Sequence, residues 1–217
     1  MILFRIIRLS GNPPLKIIFK NNPTLLEKWK EPLEISILQI KQTTSIIILQ
    51  PNLKSIVSAE SWEDFLLMGT EVHNSCQRID GDPKLIKCLL AYILDGKNKV
   101  ILVKDTLGKI VARTVLRIMW DKAQKCPVLF MERLYTKGIN KEFSILIRKG
   151  CETLAKKMKL TLVANKNDFP SGLPYNGELF ALGGPCPFEY VDDLQEILSE
   201  GKFTIQNCNI ICDFKAL

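Results

Sequence analysis

The apolar and polar positions form their clearest pattern between residues 99 and 165. Three apolar runs come first: KVILVKD, IVARTVLRIMWD and PVLFMERLY. TLGK and KAQKCP separate them, and Asp105 and Gly108 supply turn chemistry to the first gap. Short runs rich in Val, Ile, Leu and Thr predict a three-strand antiparallel meander. After a short loop, TKGINKE, the stretch EFSILIRKGCETLAKKMK has apolar residues at 143, 146, 147, 151, 154, 155 and 158. That spacing predicts an amphipathic helix with Lys and Arg on its outer face. Gly150 inside it costs roughly 1 kcal/mol relative to Ala, so close packing is expected there. LTLVAN then predicts a buried strand.

The flanks are read the same way. SAESWEDFLLMG (58–69) predicts a capped helix ending at Gly69. KLIKCLLAYILDG (84–96) has apolar residues at 85, 86, 89, 90, 93 and 94, with Pro83 before them and Gly96 after, and predicts a second helix. TEVHNSCQRIDGDP between the two is polar and turn-rich. Beyond 165, KNDFPSGLPYNG predicts a loop, ELFALGG and VDDLQEILSEG predict short helical pieces, and KFTIQNCNIICDF predicts one closing strand or hairpin arm. Residues 1–58 are expected to form a small β-rich extension, with a turn at Gly11–Pro14 and one short helix before Pro32. Residues 59–217 form the main domain.

Composition narrows the class. The chain has 217 residues, 47% hydrophobic and 24% charged, which suits a globular protein. No apolar run reaches the roughly 18 to 20 residues that span a bilayer. Arg5 and Arg8 interrupt the first apolar run, and no small-residue cleavage site follows, so a signal peptide is not expected. Seven cysteines, an odd number, and no CxxC pair suggest thiols in a reducing compartment, hence a cytoplasmic protein. With a single histidine, no metal site is expected. The net charge of +7 is unevenly spread: residues 96–166 hold 17 basic and 5 acidic groups, residues 167–217 hold 2 and 8. Two readings stay open. The basic block meets a polyanion or acidic protein, or the acidic tail packs near it. Few aromatics and no reading motif accompany the block, which argues against nucleic acid. No membrane partner is expected.

The order of two helices, three-strand meander, helix, parallel strand, short helix and last strand resembles the GNAT acyltransferase family over roughly residues 84–214. The stretch DGKNKVILVKDTLGKIVARTVLRI is similar to that family's hairpin. The resemblance implies an α/β (α+β) fold, a mixed central sheet containing an antiparallel meander and flanked by helices. It implies acetyl-CoA as cofactor and transfer of an acetyl group to an amine of a small molecule or protein. A non-catalytic GNAT-like binding or effector module is the alternative. The family binds pyrophosphate on loop amides and the following helix N-terminus, where orphan N–H groups and the helix dipole attract phosphate. The aligned loop is LYTKGINKEF, so Leu134, Tyr135, Lys137, Gly138, Ile139, Asn140 and Lys141 are the candidate cofactor-binding residues. Gly138 fits the first glycine of the family pattern Gln/Arg-x-x-Gly-x-Gly/Ala. Asn140 stands at the second, and Leu134 or Tyr135 stands for Gln or Arg.

The same resemblance implies Glu132 as general base, with a carboxylate facing Arg117 or Arg133 as the alternative. It implies Tyr175 or Tyr190 as general acid, with packed core tyrosines as the alternative. The 70–83 loop holds the only histidine, His73, and Cys76. A Cys76 nucleophile with a His73 base is one reading. A loop that closes over a pocket, where the resembled family binds acceptors, is the other. ALGGPCPFEYVDD is expected to be a rigid turn that packs Phe188 and Tyr190.

Overall fold

The computed structural model describes residues 55–138, 141–181, 196–199 and 202–214. The expected turn and helix of the N-terminal extension, the turn holding Phe188 and Tyr190, and the loop residues Ile139 and Asn140 lie outside the described residues.

The organising element is β3 (Ile110–Asp121). Its twelve residues are all buried, because both of its edges are paired and both of its faces are covered. On one edge lie β4 (Cys126–Met131) and β5 (Tyr135–Thr136). On the other lie β2 (Asn98–Lys104) and, end to end with it, β8 (Leu179–Ala181). All four pair antiparallel to β3, so the expected meander is present as β2–β3–β4. The sheet continues past β4 through β6 (Leu162–Asn165), the parallel strand, to β11 (Cys208–Cys212) and β7 (Leu173–Tyr175). β1 (Ser55–Ser58) pairs with β2, so residues expected in the extension join the main sheet.

Two layers of helix cover the sheet. α3 (Lys141–Met158) buries Phe143, Leu146, Ile147, Gly150, Cys151, Leu154, Ala155 and Met158. These pack against Ile101, Val103, Leu116, Ile118, Leu129 and Met131. The opposite face carries Val100, Leu102, Val115 and Tyr135 against Met68, Val72, Leu89 and Tyr92. Those last four come from α2 (Pro83–Leu94) and from the C-cap and loop that follow α1 (Trp62–Leu67). Ser61 caps α1 by accepting the Asp64 N–H at 3.2 Å. The buried stripe of α2 runs through Cys88, Leu89 and Tyr92, while Leu90 is exposed.

Three expectations are corrected at the C-terminal end. Within ELFALGG, Leu179–Ala181 is not helical but β8, which fills the β3 edge at Met119–Asp121 that β2 leaves open. VDDLQEILSEG contains β9 (Glu196–Ser199), paired antiparallel with β10 (Lys202–Ile205) rather than coiled. In both cases an available sheet edge overrides a helical pattern too short to be stable alone. KFTIQNCNIICDF is not one strand. Asn207 adopts a left-handed φ of 55°, and the chain leaves β10 beside β8 to form β11 beside β6. Asn tolerates that conformation better than most residues.

Candidate functional site

The site begins where the sheet changes register. Leu116 pairs with Met131, and three residues back along β3, Arg113 pairs with Tyr135. The β4–β5 strand uses four residues over that distance, so it carries one extra residue, a β-bulge. Bulges interrupt the ladder and re-aim side chains. Glu132 still gives its N–H to Val115 O at 2.9 Å, and Lys137 gives its N–H to Val111 O at 2.8 Å. Between them, neither Arg133 nor Leu134 gives its N–H to a backbone carbonyl among the described residues. At the same point β6 ends its pairing with β4, at Met131↔Ala164, while β5 stays with β3.

A cleft of about 400 Å³ lies beside this bulge. It is walled by Arg133, Leu134, Tyr135, Thr136 and Gly138 of the bulged strand, Lys141 and Ser144 of the first turn of α3, and His73 and Asn74 of the 70–82 loop. Among the described residues, no carboxylate lines it. Gly138 has a φ of 79°, which only glycine adopts freely. A Cβ built there meets nothing within 4 Å, so the residue is needed for its backbone conformation and borders open space. The Thr136 hydroxyl donates to Gly138 O at 2.6 Å and ties the turn down. Arg133 is exposed and sits 3.7 Å from Asp168. Backbone amides, the N-terminus of an 18-residue helix and two basic side chains around an open glycine turn fit a phosphate group.

The predicted residues divide between this cleft and other places. Leu134, Tyr135, Gly138 and Lys141 are in its walls; Lys137 is exposed but not a wall. Glu132 is fully buried behind it and accepts Arg117 Nε at 3.0 Å and Nη2 at 2.6 Å. That is the cross-strand arginine pairing weighed as the alternative to a general base. Tyr175 lies at the other end of β3, where its hydroxyl donates to Asp121. Asp121 is eight residues from Arg113, roughly 26 Å along a strand. Burial, then the Asp121 carboxylate, pushes the Tyr175 phenol up, so it holds its proton there. It lines a separate cleft of about 480 Å³ with Lys166, Asn176, Glu178 and Asn207. Cys76 is not among the walls of the first cleft, although His73 is.

Three residues that matter at the site were not legible as such: Arg113, Arg133 and Ser144. Arg113 is fully buried under Tyr135, its guanidinium carbon 4.1 Å from the ring centroid. It donates to Ser75 Oγ at 2.9 Å and Gln77 Oε1 at 3.0 Å. Gln77 in turn donates to Tyr92 Oη at 2.8 Å. Burial, with Glu132 adding to it, pushes the Tyr92 phenol up. Arg113 therefore fastens the 70–82 loop to the sheet, and with it His73 to the cleft.

The meander and the parallel β4–β6 pair are the arrangement that the sequence resemblance implied. The sheet is mixed, contains an antiparallel meander and is flanked by helices. No family model matches the chain, and no curated protein does. Among solved structures, it is similar to a GNAT family acetyltransferase from Staphylococcus aureus at 13% identity and a TM-score of 0.43, over 55% of this chain and 95% of that one. It is similar to a possible acetyltransferase from Clostridium difficile at 18% identity and 0.41, over 51% and 77%. A third is an aminoglycoside 6'-N-acetyltransferase from Acinetobacter baumannii, at 16% and 0.40, over 51% and 77%. None of these scores assigns an activity to this chain. Among the described residues, no helix is long and apolar enough to cross a membrane, and no group of three or more His, Cys, Asp or Glu is placed to hold a metal ion.

Proposed function

We propose that the chain is an acyl-CoA-dependent N-acyltransferase whose pyrophosphate site is the cleft at the β5–α3 turn. The observation that carries this is the open, positive-φ glycine turn at Gly138, set between a β-bulge and the start of α3 and bordered by Arg133 and Lys141. The α3 N-terminus, the turn amides and Lys141 would hold the diphosphate. The bulged segment at Arg133 and Leu134 would lie along the thioester arm, where its unengaged N–H groups can polarise a carbonyl. Acetyl-CoA, when bound, supplies an activated acyl carbon; the chain orients it and admits an amine from the side of the 70–82 loop. Asn140 at the second glycine position of the family pattern keeps a left-handed option.

Calorimetric titration with acetyl-CoA tests the reading. Binding with a dissociation constant in the micromolar range is expected. Gly138→Asp should abolish it, by strain and by setting a carboxylate against the diphosphate. Lys141→Ala should weaken it about tenfold, the loss of one charge-assisted contact of roughly 1.4 kcal/mol. No heat and no thermal shift at millimolar acetyl-CoA would remove the proposal.

A further inference from the structure

We infer that His73 is the general base that takes the proton from the acceptor amine. This rests on the acyltransferase reading and adds a residue to it. Among the side chains that wall the cleft, Arg133 and Lys141 are cations, and Leu134, Thr136, Asn74 and Ser144 have no basic function near neutral pH. Tyr135 is a phenol stacked on the Arg113 guanidinium. Glu132 is sealed behind the wall with Arg117. Among the described residues that wall the cleft, His73 is the remaining side chain, and its imidazole nitrogen has a lone pair that can take a proton.

Its placement is built in by its neighbours. Val72 and Ser75 are buried on either side of it, while His73 and Asn74 are exposed. Asn74 takes a left-handed φ of 59°, which turns the chain at that tip. The His73 N–H donates to Thr136 O at 3.1 Å, so the loop is fastened to β5 beside the bulge. Glu71 accepts the Ile110 N–H at 2.6 Å and fixes the same loop from its other side. The charged and titratable groups facing His73 across the cleft are Arg133, Tyr135 and Lys141.

The step balances as follows. The imidazole nitrogen takes one proton from the acceptor ammonium. The freed lone pair forms the C–N bond at the thioester carbonyl carbon. The C–S bond breaks, and the departing thiolate takes the second proton from that nitrogen. His73 returns its proton to solvent, leaving an acetamide and a free thiol.

The test uses the full chain. Because His73 is the only histidine, carbethoxylation by diethyl pyrocarbonate reports on it alone among imidazoles. Saturating acetyl-CoA should slow that reaction at least fivefold; no protection with the cofactor bound overturns the inference. With methylamine as acceptor probe, His73→Gln should lower kcat/KM roughly a hundredfold. It should also remove the acid limb of the pH profile and leave acetyl-CoA affinity within twofold. Added imidazole should restore part of the rate of His73→Gly, as a base deletion does and a folding defect does not. A His73→Gln rate within threefold of the parent, or thiol release no faster than in buffer with the cofactor bound, overturns it. Absence of acetyl-CoA binding is a different failure and falls on the acyltransferase reading itself.

Discussion

Inside the sheet, two guanidinium groups, Arg113 and Arg117, and one carboxylate, Glu132, are all fully buried. Glu132 neutralises Arg117 directly, and Arg113 leans on the Tyr135 ring and on two neutral acceptors. Removing one partner of a buried pair leaves an uncompensated charge. Glu132→Gln is therefore expected to destabilise the fold by about 3 kcal/mol, measured by denaturant unfolding, while Arg117→Met combined with Glu132→Leu recovers most of it. A Glu132→Gln variant of parental stability would show that the pair contributes little. Lys99 shows a milder conflict. Burial pushes its ammonium down to about 8, against a partial opposing pull from Glu60. An unfolded lysine titrates near 10.4, so between about pH 8 and 10 the unfolded chain binds more protons. Stability contributed here should rise with pH across that window, and Lys99→Met should flatten the rise. The burial of the arginines was not legible in IVARTVLRIMWD, where Arg113, Thr114, Arg117 and Asp121 are polar residues within an apolar run. The layer that covers Arg113 and Arg117 comes from Gln77, Tyr92 and Glu132, distant in sequence.

At the scale of elements, long periodic segments declared themselves and short ones did not. α3 lies within a residue of its expected bounds and buries the seven apolar positions that its spacing named. Gly150 adds a reason to that pattern: a Cβ there would stand 3.3 Å from Ile56 Cγ2 on β1. The glycine lets the helix and the edge strand approach. Gly150→Leu should destabilise by about 1 to 3 kcal/mol through overpacking, and Ile56→Ala in the same chain should recover part of that. A neutral Gly150→Leu in thermal unfolding would mean that α3 can shift without loss. By contrast, β8 has three residues and β9 four, and their identity depends on which strand edge is waiting. A helical spacing over so few residues carries little free energy, so the open edge of β3 decided the outcome for β8. The cleft was half legible for the same reason. Gly138 and the helix after it are local features, whereas the β-bulge that exposes Arg133 and Leu134 exists only once β3 is beside it.

Across the whole molecule, several of the 17 cations between residues 96 and 166 are buried or paired within the fold. Lys97, Arg113 and Arg117 are buried. Lys97 pairs with Asp95, Lys104 with Asp64 at 2.5 Å, and Arg148 with Glu152 at 2.8 Å. The acidic C-terminal stretch also comes back to this block: Asp168 stands 3.7 Å from Arg133, and Asp213 accepts the Thr161 hydroxyl at 2.9 Å. Part of the charge that suggested a polyanionic partner is thus consumed within the fold. Duplex binding that neutralises six to ten phosphates weakens by about 10³ to 10⁵ between 50 and 200 mM salt, and it needs that many cations on one continuous face. The pairing seen here lowers the number available. A gel shift with a short DNA duplex and with single-stranded RNA should show weak retardation at 50 mM salt and none at 200 mM. Acetyl-CoA, held by few charges and by backbone amides, should bind over the same range with only a modest loss. Sub-micromolar duplex binding at 200 mM salt, together with salt-insensitive failure to bind acetyl-CoA, would reverse that ranking and make the basic block the functional surface.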